Sequence, residues 1–267
     1  MILTAENYYS QEANRAYMST SQFKDFMNCP AMAMAKLADD YTEPESDALK
    51  LGSYFDAILT GEIEAYEYEH SAEIFKKNGD RYADYEQAFK TSQLVRSQPL
   101  MMRYLSGEHQ RFITGEIEAC KFKIKMDSYK PDEFIADLKY MRSLRSPNLF
   151  EPMISYWHYD WQAAIYQEIV FQNTGKRLPF YFVIATKEKP PHLTVAQIQQ
   201  YNIDAALDTV RENLPRLMQV KNGSVAPERC EDYNCDFCTQ TRIITDIEDT
   251  DMLGMSRAQK SAITGGA

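Results

Sequence analysis

No run of 18 apolar residues occurs in the sequence, so no membrane-spanning helix is expected. The N-terminus, MILTAENYYSQEAN, has neither the basic start nor the apolar stretch of a secretory leader. A soluble, cytoplasmic protein without membrane partners is therefore expected. Basic charge is also scarce: 29 Lys and Arg stand against 39 Asp and Glu, a net charge of −10, which excludes a nonspecific polycation and leaves room only for a local basic groove. The four histidines (His70, His109, His158 and His192) have no metal-ligand spacing, and no Walker A, GxGxxG or Gly-x-Ser-x-Gly pattern is present. Internal repeats and low-complexity linkers are missing as well. Cysteine is sparse and odd in number. Of Cys29, Cys120, Cys230, Cys235 and Cys238, three are clustered, which in a reducing compartment favours a metal site over disulfides.

What the sequence does have is a core. Hydrophobic residues make up 44% and aromatics 12% of 267 residues, enough for a packed domain and against collagen-like or disordered classes. Ser19 and Gln22 have capping-box spacing, predicting a helix that runs to Cys29 and is interrupted by Pro30. Leu51, Tyr54, Phe55, Ile58 and Leu59 recur at three-and-four spacing before Gly61, predicting a second helix. Residues 82–98 read as a third, and a short segment from Pro99 ends near Gly107. Beyond it, alternating stretches over Arg111–Asp127, a turn at Ser128–Asp132 and a strand at Phe134–Leu138 predict an antiparallel meander. A polar loop with Pro147 and Pro152, a helix over 157–174 stopped at Gly175, a strand at Phe180–Thr186 and a long helix after His192 complete the chain. The pattern predicts an α/β (α+β) fold with a central mixed sheet flanked by helices. One domain is expected over 1–242, with a flexible tail over 243–267.

Chemistry concentrates at Asp127, Asp137 and Lys139. Asp127 is expected to end one strand and Asp137-Leu138-Lys139 the next, with Asp137 and Lys139 on one face because residues two apart on a strand share a face. Two carboxylates there suit a hard cation such as Mg²⁺, and the ammonium can orient an attacking water or offset phosphate charge. An exposed salt-bridged strand end is the plainer alternative.

The stretch KIKMDSYKPDEFIADLK resembles the core of the PD-(D/E)xK nuclease superfamily, in which a strand ending in Asp, a hairpin and a strand carrying (D/E)xK form the metal site. WQAAIY is similar to the Gln-x-x-x-Tyr element of the RecB-like branch. LGSYFDAIL lies where that branch has Gly-x-x-x-His, and STSQFKDFMNCP is similar to its N-terminal opening. The order holds over residues 19–240, and the resemblance is greatest to RecE-type (exonuclease VIII) phage and prophage exonucleases. It implies a restriction-endonuclease-like core and Mg²⁺ or Mn²⁺ held by Asp127, Asp137, the Leu138 carbonyl and Asp56. It makes Lys139 the catalytic lysine and places Gln162 and Tyr166 around the reaction. Two positions depart from the pattern: Asp56 replaces the usual histidine, and Asp160 replaces another histidine two residues before Gln162. Gly52, one turn before Asp56, is expected to leave space for metal or DNA backbone.

Three clustered thiols plus Cys29 suit Zn²⁺ or an iron-sulfur cluster. RecB-like nucleases of the AddB type join their two ends through one N-terminal and three C-terminal cysteines around a [4Fe-4S] cluster. The resemblance therefore implies such a cluster on Cys29, Cys230, Cys235 and Cys238, with structural zinc or free thiols as the alternatives. Cys120 reads as a core thiol. Basic residues near the carboxylates (Lys121, Lys123, Lys125, Lys130, Lys139, Arg142, Arg145, Lys176 and Arg177) are expected to line a DNA groove. The implied activity is degradation of duplex DNA ends, 5′ to 3′, leaving 3′ strands for a RecT-like annealing protein, with a homo-oligomeric ring as the implied assembly. A noncatalytic DNA-binding scaffold on the same fold is the competing expectation.

Overall fold

The computed structural model describes residues 2–4, 6–230, 235–244, 247, 250–252, 254, 255, 259, 262 and 263. Much of the expected tail over 243–267 lies outside the described residues.

Eight helices come first: α1 (Gln11–Ala16), α2 (Thr20–Asn28), α3 (Pro30–Ala38), α4 (Asp47–Thr60), α5 (Ile63–Glu69), α6 (Ser71–Ile74), α7 (Ala83–Arg96) and α8 (Pro99–Tyr104). Ser19 caps α2, its Oγ accepting from the Gln22 amide at 3.1 Å. The capping box is only half formed, because the Gln22 side chain donates instead to the Asn14 carbonyl at 3.0 Å. Pro30 does not merely interrupt a helix. At the first position of α3 its missing N–H costs nothing, so it opens the next one, with the Cys29 sulfur accepting from the Met32 amide. Gly61 closes α4 in the left-handed region at φ 87°.

Strands β1 (Arg111–Ile117) and β2 (Cys120–Met126) form an antiparallel ribbon. A four-stranded sheet follows from β3 (Ser128–Lys130), β4 (Phe134–Met141), β5 (Phe180–Thr186) and β6 (Leu193–Gln197), in the order β3-β4-β5-β6. β4 and β5 are parallel, and the outer pairings are antiparallel, so the sheet is mixed as expected. The expected meander departs at three places. The chain bends at Asp127, which separates the β1-β2 ribbon from the sheet. Ser128–Lys130 is a short strand in place of a turn. Leu193–Gln197 pairs with β5 before the long helix begins; its alternating Leu193, Val195 and partner residues Ala185, Val183 reward a strand there.

Between β4 and β5 lie α9 (Met153–Tyr156) and α10 (Tyr159–Thr174); α11 (Gln200–Lys221) and α12 (Asp236–Gln240) follow β6. The two faces of β4 and β5 feed different cores. Ile135, Phe180, Phe182 and Ile184 pack with α2, α10, α11 and the ribbon, whereas Phe134, Ala136, Val183 and Ala185 pack with α4, α7 and α8. Burying side chains such as Phe23 and Phe182 is worth about 1.5–3 kcal/mol each, so both layers anchor the sheet. Gly115 permits close approach of β1 to α10: a Cβ there would lie 2.7 Å from the Ile169 side chain.

Candidate active site

Alternation along β4 puts Asp137 and Lys139 on the face that α10 covers. They sit within the strand, which continues to Met141, and not at its end as the sequence suggested. The strand end was misplaced because parallel pairing with β5 carries the ladder through Lys139↔Ile184 to Met141↔Thr186. Asp137 is 3% exposed. Its Oδ2 lies 2.6 Å from the Lys139 ammonium, and its Oδ1 accepts from Gln162 Nε2 at 2.5 Å. The same Gln162 amide turns its oxygen to Lys139 Nζ at 3.1 Å. One side chain on α10 therefore holds both partners of the ion pair. Lys139 also lies over the Tyr159 ring, 4.7 Å from its centroid.

Asp127 occupies the bend between ribbon and sheet, where its Oδ2 accepts from the Leu138 amide at 2.9 Å. That bond ties the first carboxylate to the backbone of the strand carrying the second. Burial, followed by repulsion from Asp137 and Asp56, pushes the Asp127 pKa well up. Burial opposes charge on Lys139, but attraction to Asp137, Tyr159 and Asp127 outweighs it and raises its pKa, so this lysine is a cation at neutral pH. Asp137 Oδ2 is buried against the Lys139 ammonium. Asp127 and Asp137 repel one another in this buried setting, and an oxygen-rich pair of that kind suits a hard divalent cation.

Asp127, Asp137, Lys139, Gln162 and Tyr166 line one cavity of about 720 Å³. Asp56 does not line it, although its charge reaches Asp127; burial raises the Asp56 pKa. Gly52 faces open space, with nothing within 4 Å of the position a Cβ would take. The Tyr166 hydroxyl is engaged, donating to the Lys125 carbonyl at 2.9 Å, and so locks α10 to β2. Asp160 accepts from the Trp161 amide at 2.9 Å at the start of α10.

Sequence reasoning missed Lys24. This α2 residue lines the cavity, donates to the Trp157 carbonyl at 2.9 Å, and has its pKa pushed down to about 8 by burial and then by Lys139. Its only sequence signal was a basic residue inside the STSQFKDFMNCP opening. The expected basic groove is thinner than composition implied. Lys123 is 1% exposed and binds the Tyr8 carbonyl and Asn14; Lys130 pairs with Glu133, Lys176 with Asp132 and Arg177 with Glu168. A charge on an alternating strand turns inward as readily as outward when polar partners wait there.

The four cysteines expected to act together do meet. Their sulfurs all lie within 4.8 Å of one another, with Cys29 to Cys238 and Cys230 to Cys235 each 3.5 Å apart. Cys29 and Cys235 stand at the starts of α3 and α12, each accepting a backbone N–H. This set can bind a metal. Cys120 is buried in the main core, where burial pushes its thiol up to about 11.

A mixed sheet with helices on both faces, an Asp at its entry and Asp-x-Lys on the next strand define a PD-(D/E)xK nuclease-type domain. The chain belongs to the PDDEXK-like domain family of unknown function DUF3799, whose model matches residues 19–241. It is 38% identical to a candidate exonuclease from Eubacterium rectale known from a crystal structure, with a TM-score of 0.89 over 96% of this chain and 99% of that one. The solved structure of SSO0001 is 14% identical, with a TM-score of 0.37 over 76% of this chain and 77% of that one. No curated protein matches the chain at a significant level.

Proposed function

We propose that the protein is a metal-dependent exodeoxyribonuclease that hydrolyses phosphodiester bonds at duplex DNA ends. The observation that carries this reading is the buried Asp137–Lys139–Gln162 constellation beside Asp127 in one cavity. Asp127, Asp137 and the Leu138 carbonyl, with Asp56 from α4, would hold Mg²⁺ or Mn²⁺. When bound, such an ion supplies charge neutralisation at a phosphate and acidification of a water. Lys139 presents a fixed cation to the phosphate, and Gln162, bonded to both Lys139 and Asp137, fixes the orientation of the pair. The likeness to the Eubacterium rectale candidate exonuclease supports action at ends. By resemblance to RecE-type exonucleases alone, degradation would run 5′ to 3′, 3′ strands would pass to an annealing protein, and several copies would form a ring around DNA.

For the four thiols the reading is a structural staple. Cys29, Cys230, Cys235 and Cys238 would hold either a zinc ion or a [4Fe-4S] cluster, and either group would supply metal–sulfur bonds that tie the two ends of the domain together.

The test is incubation of pure protein with linear and covalently closed duplexes plus Mg²⁺ or Mn²⁺. Metal-dependent nucleotide release from the linear duplex alone is expected. Binding without release would replace the enzyme with a DNA-binding scaffold, and cleavage of the closed duplex would replace it with an endonuclease.

A further inference from the structure

The carboxylates occupy only part of their cavity, whose remaining wall draws on the N-terminal segment, α2, α3, residues 41–49 and β2 and includes Tyr8, Tyr9, Gln11, Thr20 and Lys24. Tyr8 and Tyr9 are adjacent but opposite in environment. Tyr8 is 6% exposed, with its ring 5.1 Å from Phe112, whereas Tyr9 is 68% exposed. Tyr9 is nevertheless held on two sides: the Tyr8 ring meets it edge-on at 5.0 Å, and the Lys125 ammonium lies 5.1 Å from its centroid. An aromatic held by two neighbours and still 68% exposed offers a surface for stacking.

Its location ties that platform to the chemistry. Lys125 precedes Asp127 by two residues, about 7 Å along an extended chain, roughly the reach of one nucleotide. The same wall holds polar atoms without partners: Thr20 Oγ1, on a side chain 8% exposed, and Gln11 Oε1. Lys36 is neutralised by Asp25 and Glu43 and Lys123 is fully buried, whereas Lys24 and Lys125 line the cavity bonded to the Trp157 carbonyl and Gln110, neutral acceptors that leave their charge to meet a ligand. A braced aromatic face, two cations and orphaned hydrogen-bonding atoms in one cavity match a nucleotide part by part.

The geometry points to a subsite for one unpaired nucleotide beside the scissile phosphate: its base stacks on Tyr9, Lys125 and Lys24 meet its phosphate charge, and Thr20 and Gln11 bond its sugar or base edge. An inner base of a duplex is covered on both faces and a terminal base on one, so Tyr9 can receive an inner base only after it leaves the stack. Single-stranded and frayed ends, whose bases are already free of the stack, are therefore the preferred substrates. This inference rests on the nuclease reading for the phosphate that is cut, but base stacking can be measured without cleavage.

The experiment places 2-aminopurine singly at each of the last three positions of a DNA strand and adds Asp137→Asn protein, which is expected to bind without cutting. Quenching at one position is expected. It should be kept by Tyr9→Phe in the same background and lost in both Tyr9→Ala and Tyr9→Leu, with melting temperatures unchanged. In the active protein, Tyr9→Ala should raise KM for single-stranded ends about tenfold while kcat stays within about twofold. Equal quenching in all four proteins, or rescue by Leu as full as by Phe, would overturn the platform even if the wild type cuts DNA. Tyr9-dependent quenching by a protein that releases no nucleotides would leave the subsite standing and remove the nuclease.

Discussion

At the scale of single residues, the site is organised by Gln162. Its amide has one donor end and one acceptor end, and it uses them on Asp137 and Lys139 at 2.5 and 3.1 Å. Asp137→Asn and Lys139→Ala are expected to lower metal-dependent nucleotide release by at least about 100-fold, the usual weight of a positioned polar group. Circular dichroism should show both variants folded. Wild-type rates in either variant, with unchanged metal dependence, would count against this site. A second residue-scale prediction concerns Lys123, whose pKa burial pushes down to about 8, below the unfolded value near 10.4. Between those values the unfolded chain binds more protons than the folded one, so this lysine adds stability as pH rises through about 8 to 10 and that gain is lost below. Melting temperatures taken across pH 7–10 should show a smaller upward contribution in Lys123→Met than in the wild type. Identical pH profiles would refute the assignment.

At the scale of elements, α4 and α12 matter most. α4 packs its Leu51, Tyr54, Phe55 and Ile58 stripe under the sheet, with Phe55 stacked on Tyr140 at 4.2 Å, and so fixes where Asp56 emerges. Asp56→Ala should weaken Mg²⁺ or Mn²⁺ binding in calorimetry and slow the reaction together. Asp56→His, restoring the ligand usual in the RecB-like branch, should keep part of the activity; an Ala variant with unaltered metal affinity would exclude Asp56 from the site. α12 is only five residues long and lies against α3 through Cys29, Met32, Cys238 and Phe237. So short a helix has little stability of its own, which makes the thiol cluster its anchor.

At the scale of the whole molecule, those thiols close a loop of about 200 residues between Cys29 and Cys230. Cys29→Ala should lose the bound metal, measured by elemental analysis, and lower the melting temperature more than Cys120→Ala does, because only the former releases two distant segments together. Zinc in the wild type supports the single-ion staple; a brown anaerobic preparation would establish iron-sulfur chemistry instead, and four freely reactive thiols would end the staple altogether. Light scattering would decide the ring: a monomer in solution with and without linear DNA would remove it. Among the described residues, no helix is long and apolar enough to cross a membrane.

Helices whose stops are local, such as α4 at Gly61 and α10 at Gly175, are legible in the chain because their caps lie within a few residues. The sequence by itself also placed the Asp127, Asp137 and Lys139 candidates, since strand alternation fixes shared faces, and it grouped the four cysteines, which the fold then brought within 4.8 Å. Only tertiary structure decided what depends on distant partners. β6 is a strand because β5 offers it an edge, Lys123 turns inward because Tyr8 and Asn14 receive it, and Lys24 joins the site because α2 packs beside α10. Those outcomes are set by contacts between segments more than a hundred residues apart or by an edge that exists only once the sheet is built, and neither leaves a local pattern in the chain.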